Sequence, residues 1–174
     1  LKKVKDSINT AVENSKIHYY SVNDDNNHVE NYNNDGAKAK NAVVIGIGST
    51  SNGVNSIVLG NNTKVTKNTE NPKDDNSSVV VGNNLDVDGV HNVIVGTDYH
   101  NGDQKFTKIN GDHNAVLGTG NLIGYTAERD GNNWKYTKAA DNSYDQNTVV
   151  GMNNTVNTNG NTVLGSSNEI KNDD

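Results

Sequence analysis

The sequence predicts an all-β chain folded as a parallel solenoid, or β-roll, of about seven coils with 14 residues each. The first observation behind this is a recurring tetrad of three strand-forming residues and a glycine. It appears as Val43-Val44-Ile45-Gly46, Ile57-Val58-Leu59-Gly60, Val79-Val80-Val81-Gly82, Val93-Ile94-Val95-Gly96, Ala115-Val116-Leu117-Gly118, Thr148-Val149-Val150-Gly151 and Thr162-Val163-Leu164-Gly165. The second is spacing. The glycines follow one another at 14, 22, 14, 22, 33 and 14 residues, so three intervals are the bare unit and three carry inserts of 8, 8 and 19. Solenoids accept such insertions at their turns. The third is a weaker mark five residues after the glycine, at Val65, Val87, Ile123, Val156 and Ile170, with Ser51 and Asn101 breaking the series. Each coil therefore carries two short strands. A helical reading fails, because β-branched triplets bounded by Gly, Asn, Ser and Thr suit strands and turns and disfavour helix interiors.

Taken in order, Leu1, Val4, Ile8, Ala11 and Ser15 keep a 3,4 spacing with Lys3, Lys5, Asp6, Glu13 and Lys16 outside it. Residues 1–17 thus read as the end of a coiled coil, or as an amphipathic helix that packs on the roll. Two heptads do not sustain themselves in water, so either version needs a partner surface. His18 to Asn23 alternates and predicts a strand, and the polar run Asp24 to Asn34 predicts a loop. Residues 18–174 then form the roll, with inserts at 61–76, 97–112 and 119–146. The first insert holds the only proline, Pro72, and reads as a solvated loop. In the second, Tyr99, Asn101-Gly102-Asp103 and Phe106 have the flanks and turn of a hairpin. The third alternates through Ile123, Tyr125 and Ala127 to Asp130-Gly131-Asn132 and away through Trp134 and Tyr136, which predicts a hairpin projecting from the roll. Asn is roughly a fifth of the chain, as repeated turns and stacked side-chain amides require.

Successive side chains of a strand alternate faces, so the residue two before each glycine points opposite to those one and three before it. That middle residue is Val or Ile in all seven copies. One face fills the coil, but a coil of this size has no layer of its own to cover the other. An apolar stripe along the outside of a solenoid is most simply met by further copies of the chain.

The pattern Asn-Ala-Val-Val-Ile-Gly at 41–46 and Asn-Ser-Ile-Val-Leu-Gly at 55–60, preceded by Asn34-Asp35-Gly36-Ala37, resembles the head repeat of YadA-like trimeric autotransporter adhesins of Gram-negative bacteria. The resemblance covers about residues 18 to 174. It differs from the family pattern in carrying Val or Ile two before the glycine, and in its long inserts. The resemblance implies a left-handed parallel β-roll, a homotrimer, and an adhesin at the cell surface, held at the outer membrane by parts of the protein that supply export and anchoring. It makes the stripe Val44, Val58, Val80, Ile94, Val116, Val149 and Val163 the expected trimer core. The expected partners are a host matrix protein, a surface glycoprotein or glycan, or another bacterium.

Composition bounds the alternatives. Only 31% of the chain is apolar, against roughly 45–50% in ordinary globular domains, which excludes a thick conventional core. A formal charge of −6 argues against nucleic acid and anionic membrane as partners. The absence of cysteine suits export without disulfides but equally a cytosolic life. No apolar run can span a bilayer, and the amino-terminal Leu-Lys-Lys-Val-Lys has no signal-peptide core, so the chain reads as a passenger segment without membrane contact.

No catalytic constellation emerges, and no cofactor or metal is expected. Asp24-Asp25, Asp74-Asp75, Asp86 with Asp88, and Asp173-Asp174 lie in polar turns and read as solvated carboxylates rather than Ca²⁺ ligands. His91 and His113, each five before a glycine in consecutive coils, read as a stacked pair rather than a metal site, lacking a Cys or carboxylate at the same spacing. The long insert concentrates Tyr125, Arg129, Trp134, Tyr136 and Tyr144, including the only Trp and the only Arg. These are the candidate ligand-binding residues, and the competing reading is that they cement the hairpin to the roll or to a neighbouring protomer. The expected function is adhesion rather than enzymatic. A polysaccharide-acting solenoid enzyme is the alternative, and an ice-binding face is disfavoured by the lack of an outward Thr-x-Thr array.

Overall fold

The computed structural model describes residues 1–15, 21–26, 28–67, 75–100, 104–139 and 144–171, with the side chains of residues 100 and 104 excepted. Among the described residues one helix, α1 (Lys2–Asn14), precedes eighteen strands. In chain order these are β1 (Val43–Ile45), β2 (Thr50–Ser51), β3 (Ile57–Asn61), β4 (Lys64–Val65), β5 (Val79–Asn83), β6 (Leu85–Asp88), β7 (Val93–Thr97), β8 (Tyr99–His100), β9 (Gln104–Lys105) and β10 (Thr107–Asn110). They continue as β11 (Ala115–Thr119), β12 (Leu122–Ile123), β13 (Tyr125–Asp130), β14 (Asn133–Lys138), β15 (Thr148–Met152), β16 (Thr155–Asn157), β17 (Thr162–Ser166) and β18 (Glu169–Lys171).

Two parallel sheets of seven strands dominate. The first runs β1-β3-β5-β7-β11-β15-β17 and the second β2-β4-β6-β10-β12-β16-β18, so the chain visits the two sheets alternately. Every tetrad predicted from sequence is a strand of the first sheet, in register: Gly60 pairs with Gly82, Gly82 with Gly96, Gly96 with Gly118, Gly118 with Gly151 and Gly151 with Gly165. The second sheet keeps the same discipline. Ser51 pairs with Val65 despite its polarity. The place of Asn101 is taken by Ile109, which pairs with both Val87 and Ile123. The second insert enters between the two strands of its repeat and pushes the apolar mark eight residues downstream.

The core lies between the sheets. Val58, Val80, Ile94, Val116, Val149 and Val163 from the first sheet pack with Val65, Val87, Ile109, Ile123 and Val156 from the second, and Val44 joins them partly buried. This corrects the expected trimer core. The middle residues of the tetrads fill the chain's own interior, because the two sheets need opposed apolar rows and the +5 residues face them. The side left open is the other one, where Val43, Ile45, Ile57, Leu59, Val93, Val95, Leu117 and Leu164 are exposed.

The corners explain the asparagine content. The position five before the glycine has positive φ at Asn41, Asn55, Ser77, His91, His113, Gln146 and Gly160, as does the position two after it at Gly48, Asn62, Asn84, Gly120, Asn153 and Ser167. Asn and Gly tolerate this left-handed region best. Buried between corner and strand run two polar ladders. In one, Asn114 Oδ1 accepts from Asn147 N at 2.9 Å, and Asn147 Oδ1 accepts from Asn161 N at 3.0 Å. In the other, Asn121 Oδ1 accepts from Asn154 N at 3.1 Å, while Asn154 Nδ2 donates to the Gly165 carbonyl at 2.9 Å. Each amide thus satisfies turn groups that the sheets leave over. Truncating Asn147 to Ala orphans the Asn161 N–H and the Thr158 carbonyl, which the Asn147 amide binds at 3.0 Å. We expect a loss of about 2–4 kcal/mol, read as a lower urea midpoint.

The amino-terminal end is closed by residues 29–37. Asn31 donates to the Gly46 carbonyl at 2.6 Å and accepts from Gly48 N at 2.7 Å, standing where a preceding repeat would place its amide. Ser21 to Asn23 form no strand, and the rest of the strand expected at His18–Asn23 lies outside the described residues, as do Pro72 and the Asn101-Gly102-Asp103 turn. Helix α1 forms as its heptad spacing predicts, yet buries no residue: Leu1, Val4, Ile8 and Val12 are all exposed. It does not pack on the sheets in the manner of an amphipathic surface helix.

Candidate functional site

The third insert forms the predicted hairpin, with β13 and β14 paired antiparallel from Tyr125 opposite Lys138 to Asp130 opposite Asn133. Because Leu122 and Ile123 belong to the second sheet, the excursion starts at Gly124. The hairpin does not project. It folds back over the outer face of the second sheet, where β13 packs against β10 and β16, on either side of β12. Leu122 sits in the outward row of that sheet with Lys108 and Thr155 and is fully buried nonetheless.

Alternation fixes which hairpin residues face inward. Tyr125, Ala127 and Arg129 share a face with Trp134, Tyr136 and Lys138, while Thr126, Glu128, Lys135 and Thr137 occupy the other. The inward face meets charged side chains on the sheet. Lys108 pairs with Asp86, and its ammonium lies 5.4 Å from the Tyr125 ring and 5.3 Å from the Tyr136 ring. Lys138 pairs with Asp88. Burial, with Asp86 and Asp88 adding to it, pushes the Tyr125 hydroxyl up to about 12, so it remains a neutral phenol through physiological pH. Burial also raises Tyr136, whose hydroxyl accepts from Phe106 N at 2.7 Å.

That last bond joins the two inserts. The second insert is a short hairpin, with β8 and β9 antiparallel. Lys105 on β9 is only 5% exposed. Its ammonium reaches the side chain of Asn153 and lies 5.5 Å from the Trp134 ring. Desolvation holds this amine below the usual lysine range. Arg129 lies 5.0 Å from the same ring, so Trp134 has two cations within reach of its π-face. Tyr144, beyond the hairpin, packs against the core and accepts from Asn114 Nδ2 through its carbonyl at 3.0 Å.

The five residues proposed as ligand-binding therefore sit as follows. Tyr125, Trp134 and Tyr136 are turned toward the sheet and the second hairpin, Arg129 shares their face near the exposed tip, and Tyr144 is a core-edge residue separate from them. The arrangement matches the cementing alternative. Sequence reasoning missed Lys105 and Lys108, and it read Asp86 and Asp88 as solvated carboxylates in a turn, whereas both lie on β6 and are paired with Lys108 and Lys138. The one available signal was Leu122, an apolar residue in a row otherwise polar, which asks for a cover.

Elsewhere, a recess of about 410 Å³ opens beside the first repeat, lined by Val22, Val29, Tyr32, Val44, Ile45 and Ile47 among others. Among the described residues, Asp24 and Tyr32 are the titratable side chains in its wall. Among the described residues no three His, Cys, Asp or Glu side chains gather closely enough to hold a metal, and no helix is long and apolar enough to cross a membrane. Fold and site together define a repetitive, parallel two-sheet β protein with one face covered by a hairpin and the opposite face apolar and bare. Comparison with known families, with curated proteins and with solved structures returns no match.

Proposed function

We propose that this chain is a head segment of a trimeric bacterial surface adhesin, wound as a left-handed roll of seven coils, without enzymatic activity. The observation that carries the reading is the bare face of the first sheet. Seven strands at about 4.8 Å spacing make it roughly 30 Å long. Apolar residues occupy both outward positions in most repeats, and Val43, Ile57, Val93 and Leu117 are each about half exposed. Monomers rarely leave a continuous apolar strip of this extent uncovered. The strip repeats every coil, so an identical strip on a neighbouring chain matches it in pitch. The exposed heptad positions of α1 make the same demand, and a three-stranded coiled coil above a three-fold roll satisfies both at once. The resemblance to YadA-like heads agrees with this reading. Adhesion to a matrix protein, glycan or neighbouring cell then falls to what the trimer leaves outside: the outward hairpin face, its Arg129-bearing tip, and exposed corner residues such as Asn41, Asn55 and Gln146.

The test joins sedimentation to adhesion. The chain should sediment as a trimer at micromolar concentration, and a monomer there overturns the proposal. Replacing 125–138 by a short Gly-Ser turn, with Leu122→Thr to suit the newly exposed row, should leave a folded trimer. Loss of binding to immobilised matrix proteins or glycans assigns the site to the hairpin; retention assigns it to the corners.

A further inference from the structure

The corners of the sheet stack hold one feature that adhesion does not use. His91 and His113 occupy the same corner position in consecutive repeats, and their rings stand 4.9 Å apart, tilted by 33°. Their backbones are locked: His91 N donates to the Asn76 carbonyl at 2.6 Å and His113 N to the Val90 carbonyl at 3.0 Å, and both residues have positive φ. The strand spacing thus presents two imidazoles side by side from rigid supports at the protein surface. We propose that His91 and His113 form a two-imidazole chelate for a borderline transition-metal dication of the Zn²⁺, Cu²⁺ or Ni²⁺ class.

The chemistry follows from the donors. Imidazole nitrogen suits these ions, whereas Ca²⁺ and Mg²⁺ demand oxygen. With metal–nitrogen bonds of about 2.1 Å in tetrahedral or square geometry, the two donor atoms must stand roughly 3.0–3.4 Å apart. Rings already stacked at 4.9 Å reach that by rotation about χ2, a soft torsion, with no backbone movement. Two protein donors leave the remaining positions to water, so the site is an open one of modest affinity. Two carboxylates stand nearby. That of Asp75 accepts from Ser77 and, at 3.0 Å, from Asn55. That of Asp112, next in sequence to His113, accepts from Val90 N at 2.8 Å and pairs with Lys67 at 3.6 Å. Binding ties together two repeats that are separated in sequence by the second insert.

The same corner supplies a clean variant. Asn41 and Asn55 fill equivalent positions with the same left-handed backbone, so His91→Asn and His113→Asn keep the fold. Zn²⁺ titrated into the intact chain by calorimetry should reveal a site whose affinity falls at least tenfold in either variant and further again in the double variant, which has lost both donors. His28→Asn, which changes an imidazole stacked on Tyr32 instead, should leave it unchanged. With Cu²⁺, electron paramagnetic resonance should show two nitrogen donors in the parent and one in each single variant. Equal Zn²⁺ affinity in parent and His91→Asn, or a one-nitrogen spectrum in the parent, overturns the assignment.

Discussion

Val80→Asp should abolish folding, while Val95→Asp should leave a folded chain that no longer associates. The two positions differ by face. Val80 is fully buried, paired with Val58 and Ile94 in the first sheet and packed in the core shared with the second. A carboxylate there has no partner and no route to water. The cost is several kcal/mol of desolvation on top of about 2 kcal/mol of lost apolar transfer. Against a total stability on the order of 5–15 kcal/mol, that is enough to unfold a chain with so thin a core. Val95 is 42% exposed on the bare face, so its replacement leaves the core untouched and acts only on the association proposed above. Circular dichroism and sedimentation on the two variants decide the matter. A Val80→Asp chain that keeps its β spectrum and merely dissociates would return the middle stripe to an interface between chains.

Why the sequence assigned the stripes the other way is physical. Alternation separates two faces but does not say which is inside, and here both are apolar: Ile57 and Leu59 flank Val58, and Val93 and Val95 flank Ile94. The deciding cue lies in the neighbours. Ser56, Ser78, Asn92, Asn114 and Asn147, two residues ahead of the middle position, share its face and are buried as well, because their side chains close the turn. The period itself was legible, since stacking fixes register by the glycines and inserts cannot disturb it. What the inserts hid was Ile109, displaced eight residues from its expected place. The hairpins were legible as local pairings, through alternation and turn residues. Where the longer one lies was not. Its docking depends on Lys108, Asp86 and Asp88, which come from other repeats and carry no periodic mark.

The second large effect concerns the glycines themselves. Gly82→Ala should destabilise the chain by several kcal/mol, more than a loss of conformational freedom can explain. Gly82 has φ of +144°, and a Cβ built on it would lie 1.7 Å from the carbonyl oxygen of Gly96 in the adjoining strand. The left-handed backbone alone costs Ala about 1–2 kcal/mol. The overlap is with backbone, which cannot swing aside as a side chain can, so relief means parting β5 from β7 and surrendering ladder hydrogen bonds on both sides of the bend. Gly160 separates these two contributions. Its φ is +69° with open space where a Cβ would go, and Asn or His stands at the equivalent corner of other repeats. Gly160→Asn should therefore fold with a urea midpoint close to that of the parent, because the side chain fits the corner and the unfolded chain loses freedom. A Gly82→Ala midpoint as mild as that of Gly160→Asn would mean that adjacent repeats do not approach at the glycines, and the close stacking on which the register rests would have to be abandoned.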